Sequence, residues 1–194
     1  MNPFDPGYYT EQDLQKAGFK SLGRHVRIAK NCTIVGLENI AIGDHVRIDG
    51  FTTLAAHGCG WLDIGSHIHI GGYCFLAAGH GIQMRDFSGL SQGVRIYSQT
   101  DDYSGESLTN PTVPEKYKNT TKGAVALGRH VIIGSGSVVL PGVCIEEGSA
   151  VGAQSLVNKS LPPWGIFFGS PVKRLKSRSK RLLELESQFN RDGT

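Results

Sequence analysis

The chain has 194 residues, 39% hydrophobic and 8% aromatic, a size that suits one domain with a real core and leaves little room for a second. Its formal charge of +3 is local: residues 171–181 hold six Lys/Arg and no acid, so the remainder is net negative. That argues against a protein that coats nucleic acid and for a local anionic ligand or a solvated end.

In chain order, residues 1–21 read as a cap. Thr10 is an N-cap candidate with Asp13 three residues on, Leu14 and Ala17 follow, and Gly18 ends the turn. From Leu22 to Val157 an aliphatic residue then returns every sixth position. The returns group in threes: Leu22, Ile28, Ile34; Ile42, Ile48, Leu54; Ile64, Ile70, Leu76; Met84, Leu90, Ile96; Leu127, Ile133, Val139; Ile145, Val151, Val157. This period fits neither an α-helix nor a long alternating strand; it requires short strands broken by regular turns. The pattern predicts an all-β solenoid of about six three-sided coils with a short N-terminal cap helix, and each slip between groups marks a corner where extra residues loop out.

The largest slip, 31 residues from Ile96 to Leu127, encloses the polar insertion 97–126, and a loop of that length in a tight repeat is more often functional than idle. After Val157 the segment LPPWGIFFGSPVKRL is expected to leave the solenoid. Residues 173–189 read as a C-terminal helix with Leu175, Leu182, Leu185 and Phe189 as its apolar positions. The expected division is therefore 1–21, 22–161 with its inserted loop, and a C-terminal extension with a basic helix over 162–194. Cys32, Cys59, Cys74 and Cys144 are scattered like small hydrophobes in a reducing compartment. The opening lacks the order of a signal peptide and no apolar run is long enough for a membrane span, so a cytoplasmic location is expected.

The stretch IGSGSVVLPGVCIEEGSAVGAQSLVNKSLPPWGIFFGSPVKRL resembles the hexapeptide-repeat acyltransferases, near the maltose and galactoside acetyltransferases and the sugar acetyltransferases of polysaccharide clusters. The resemblance extends over about residues 22–176. It implies a left-handed parallel β-helix, a homotrimer, and acetyl-CoA as co-substrate in a groove between subunits. It also implies cofactor contacts around Gly134, Ser135, Ala153, Ser155 and Pro171, with Lys173 and Lys176 near the phosphates. A lysine–arginine cluster is independently what several phosphate charges need.

Relatives that acetylate hydroxyls usually carry a histidine at the start of the long loop; here the matching residue is Asp101, followed by Asp102. If Leu54, Leu76 and Ile96 are equivalent in consecutive coils, His57, His80 and Asp101 fall at one corner, and His80 with Asp101 and Asp102 becomes the candidate base. His57, Tyr97, Tyr103 and Tyr117 are candidate substrate contacts, while Trp61 and Trp164 read as packing. The implied activity is acetyl transfer to a hydroxyl of a sugar or nucleotide-linked sugar, in surface-polysaccharide synthesis. N-acetylation of a nucleotide-linked amino sugar is the alternative. His25, His45 and His130 recur as corner residues, and His67 with His69, two apart, share a strand face that would suit a metal. No third ligand is apparent and no metal is expected. A γ-class carbonic-anhydrase-like metal enzyme and a non-catalytic scaffold are the competing classes.

Overall fold

The computed structural model describes residues 4–192. The strands of its coils pair in parallel into three sheets, one for each side of a triangular, left-handed coil. Six coils are complete, and each contributes strands of only two or three residues; the third coil, for example, is built from Leu62–Ile64, His69–Ile70 and Phe75–Ala77. Strands this short bury nothing alone, so each coil is stable only against its neighbours. The inward residue of every side is aliphatic, and beyond the first coil it is closed to solvent: Ile48, Leu54, Leu76, Ile96, Ile133 and Val157 are all 0% exposed, whereas Leu22 and Ile34 at the open end are partly buried. Leu54 pairs with Leu76, and Leu76 with Ile96, as the repeat requires.

Two of the three corners are tight. After the first side the chain turns through His25, His45, His67, Phe87 and His130, each left-handed with φ between 57° and 59°. Histidine is among the non-glycine residues that enter this region most readily. Stacking of the coils then stacks the rings, with centroids 4.9 Å apart for His45–His67, 4.8 Å for His67–Phe87 and 5.2 Å for Phe87–His130, while His25 tilts by 31° against His45 at 4.6 Å. The corner after the second side is equally regular, and there the coils touch closely enough that a Cβ on Gly134 would lie 2.4 Å from the Ala153 nitrogen. The third corner holds every slip in the repeat: the 3-10 turn Leu37–Asn39, residues 56–61, residues 78–81 and the long loop. That loop leaves and returns through an antiparallel pair, Gln99–Thr100 with Thr121–Lys122.

Helix α1, Glu11–Lys16, has the expected capping box between Thr10 and Asp13, and its Leu14 is buried against the open end of the core. At the other end two expectations are corrected. The segment after Val157 does not leave the solenoid at once: Leu161 bridges to Ile145, and Gly165–Phe168 stacks in parallel on Ala150–Val151, beginning a seventh turn. The C-terminal helix does not start at Lys173 either. Residues Lys173–Ser177 form a strand antiparallel to Gly165–Phe168, because a sheet edge with unpaired amides lies beside them. Helix α2 runs Arg181–Asp192, so the basic cluster begins on the strand and Leu175 is exposed.

The tail folds back across the histidine corner. Phe189 meets His67 and Phe87 edge-on, and Glu186 accepts hydrogen bonds from Arg129 and, at 2.8 Å, from His130 Nε2. Arg178 donates to the carbonyls of His130 (2.7 Å) and Gly148 (3.1 Å).

Candidate functional site

The third corner bears the chemistry because the inserted chain gathers there. The long loop and the corners that close the second and third coils line a cavity of about 750 Å³. His57, His80 and Asp101 all line it, at the shared corner the register predicts, and Tyr97 lines it from the neighbouring strand. The His80 corner is held through Ser98, whose Oγ accepts from the His80 backbone N–H at 2.9 Å and donates to the Ala77 carbonyl at 2.7 Å. His80 Nδ1 is closed to solvent and has no hydrogen-bond partner among the described residues. A buried ring nitrogen left unpaired is uncommon, and it sets His80 apart from the other residues that line the cavity. Asp101 Oδ2 accepts from the Asn110 N–H at 3.3 Å, which anchors the loop to the corner. No hydrogen bond joins His80 to Asp101, so the expected dyad is replaced by two separate groups that face one space.

The other candidates are dispersed. Asp102 points into the loop, where it accepts from the Ser104 N–H (2.9 Å), Ser104 Oγ (2.9 Å) and Ser107 Oγ (2.8 Å). These donors, the Ser104 amide first, hold its carboxyl below the ordinary range. It builds the turn and is not a cavity residue. Tyr103 is 91% exposed, and Tyr117, with Lys116 over its ring, borders a different hollow. Gln99, Glu115, Lys118 and Lys122 line the main cavity and were not anticipated; the charged pattern from Glu115 to Lys122, set off by Pro114, was their available signal.

His67 and His69 do not share a strand face. His67 occupies the histidine corner in the left-handed conformation, whereas His69 lies on a strand and contacts Asp49 Oδ2 at 2.7 Å. Period-two reasoning fails here because the corner separates the two positions. Burial opposes ionisation of Asp49, but hydrogen bonds from His69 and Arg47 outweigh it and keep the carboxyl below its ordinary range.

Around the expected cofactor positions, Gly134 lies flush against Ala153, and Ser135 Oγ is 3.5 Å from Gln92 Oε1. Ser155 is buried; its hydroxyl accepts from the Gly169 N–H at 3.2 Å and so fixes the turn leading to Pro171. Lys173 and Lys176 project from the exposed edge strand.

A left-handed coil stack with an inserted loop over one corner defines the hexapeptide-repeat acyltransferases as the class. No family model matches the chain. It is 43% identical over 182 residues, covering 94% of each chain, to the dTDP-4-amino-4,6-dideoxy-D-glucose acyltransferase of Escherichia coli. Among solved structures, AntD, an N-acyltransferase from Bacillus cereus in complex with dTDP and 3-hydroxybutyryl-CoA, superposes with a TM-score of 0.92. That match has 42% identity and covers 96% of this chain and 97% of the other. A maltose O-acetyltransferase from Clostridium difficile 630, at 20% identity and a TM-score of 0.54 over 88% and 75% of the two chains, shares the fold. The chain belongs to the sugar acyltransferases of the hexapeptide-repeat family.

Proposed function

We propose that the protein transfers an acyl group from acyl-CoA to the amino nitrogen of a nucleotide-linked amino sugar of the dTDP-4-amino-4,6-dideoxyglucose type. The observation that carries this reading is the near full-length similarity to an acyltransferase named for that substrate. It favours the amine over the hydroxyl acceptor, and the residue at the start of the loop agrees. An aspartate is a weak base for an alcohol, but a neutral amine is already nucleophilic and needs only a proton acceptor as attack proceeds.

In the reaction the amine nitrogen forms a bond to the thioester carbonyl carbon, the carbon–sulfur bond breaks, and CoA leaves as the thiol with the proton the nitrogen gives up. Asp101 binds and orients the amine and accepts that proton, and His80, which lines the same cavity, is a second contact to the sugar or to the developing oxyanion. His57 and Tyr97 border the sugar. Backbone at Gly134, Ser135 and Ala153, the turn fixed by Ser155 before Pro171, and the Lys173 and Lys176 ammonium groups hold acetyl-CoA or a longer acyl-CoA in a groove completed by the next subunit of a homotrimer. The product serves surface-polysaccharide synthesis in the cytoplasm. Among the described residues no helix is long and apolar enough to cross a membrane.

Thiol release from acetyl-CoA, measured with dTDP-4-amino-4,6-dideoxyglucose and with its 4-hydroxy counterpart, tests the proposal. Turnover of the amine and not the alcohol is expected; the reverse preference would restore O-acetylation.

A further inference from the structure

Glu115, Lys118 and Lys122 share the cavity with His80 and Asp101, and acyl transfer itself gives them no task. Glu115 opens a 3-10 turn, Glu115–Tyr117, and Lys122 ends the strand that brings the loop back to the solenoid. Lys118 Nζ lies 2.7 Å from Glu115 Oε1, and Lys122 Nζ lies 4.0 Å from Glu115 Oε2.

The partners are unequal. The Lys118 side chain is only 6% exposed, whereas that of Glu115 is 74% exposed. A sequestered ammonium needs an anion beside it, and its stem is fixed by packing. An exposed glutamate forfeits little by swinging into water, since an ion pair of that kind contributes little. Two ammonium groups thus flank one loosely held carboxylate, leaving positive charge in excess. A group with two adjacent anionic centres satisfies both lysines where the single carboxylate does not.

We propose that Lys118 and Lys122 bind the diphosphate of a nucleoside-diphosphate-linked acceptor, and that Glu115 is the resident counter-ion which this diphosphate displaces. The inference rests on the proposed acceptor class and adds the residues that distinguish such an acceptor from a free amino sugar. The exchange also couples acceptor binding to the loop, because both lysines and the glutamate belong to its returning arm.

The test is calorimetric titration of dTDP and dTMP into the full-length wild type and the Lys118→Met, Lys122→Met, Glu115→Gln and Lys118→Arg variants, with melting temperatures recorded. Lys118→Met is expected to weaken dTDP binding about tenfold or more, with Lys122→Met smaller and Lys118→Arg near wild type. Binding of dTMP should change much less. Glu115→Gln should tighten dTDP binding about two- to fivefold, because the competing anion is gone.

A pair that merely braces the loop predicts the same sign for both partners: Glu115→Gln and Lys118→Met would weaken binding together, and Lys118→Arg would be the only variant near wild type. That result overturns the proposal, as does an unchanged dTDP Kd in both methionine variants or a wild type that binds no dTDP. If the wild type shows the expected shifts yet acylates no nucleotide-linked amino sugar, the diphosphate site stands and the proposed acceptor falls. If it acylates such a sugar while the Kd values stay flat, only the diphosphate site falls.

Discussion

The histidine corner and the open corner are turns of the same coil, yet they are built in opposite ways. At the histidine corner every turn has the same length and a left-handed residue at the same place, histidine in four turns and Phe87 and Gly148 in the other two, and the rings of successive turns lie one over another. At the open corner nearly every turn differs in length, and the cavity lies between the inserted segments. Repetition supplies stability and irregularity supplies chemistry, so changes at the two corners should be separable by experiment.

The largest expected effect is at the open corner. Asp101→Asn preserves shape and removes the proton acceptor, so kcat should fall by about 10²- to 10⁴-fold with the melting temperature unchanged; steady-state rates alongside thermal melts provide the check. Next is a matched pair of insertions. Two glycines placed after Asp44 break the tight corner and should lower Tm by about 10 °C, whereas the same insertion after Gly58 should lower it by less than about 3 °C. A Cβ on Gly58 would meet nothing within 4 Å. Similar losses at the two sites would dissolve the distinction between the corners.

A smaller effect is expected for His45→Val, which forces a β-branched residue into the left-handed region and should cost about 1–2 kcal/mol. His45→Asn should cost less than the valine variant, and turnover should be intact in both; chemical denaturation measures the difference. The smallest effect lies on the flat second side. Because the folded carboxyl of Asp49 titrates below its ordinary range, its contribution is complete above the unfolded value and is lost as pH falls through the folded one. Asp49→Asn should therefore flatten the decline of Tm below about pH 4 and leave neutral-pH activity alone.

The solenoid was legible because a period of six is stated by the inward aliphatic residues themselves, from Leu22 to Val157, and no other short-range structure yields it. Register then placed His57, His80 and Asp101 together without any structure. What remained hidden depends on contacts between segments far apart in sequence. Lys173–Ser177 reads as helix by its own composition and becomes a strand because Gly165–Phe168 offers an edge. Asp102 was indistinguishable from Asp101 by composition, and only the loop's path turns it towards Ser104 and Ser107. The positions of Glu115, Lys118 and Lys122 likewise follow from how the loop returns.

The tail that crosses the histidine corner changes how the molecule can come apart. In a stack where each coil touches only the next, unfolding can begin at an end and peel inward, one coil at a time. Phe189 rests on the third and fourth coils, Glu186 on the fifth, and Arg178 on the fifth and sixth. The tail is a splint, and it spans the point between Tyr97 and Val125 where the insertion interrupts the repeat. Losing any one of those coils loosens contacts that the others share, which makes melting in a single cooperative step the natural behaviour of an otherwise modular chain.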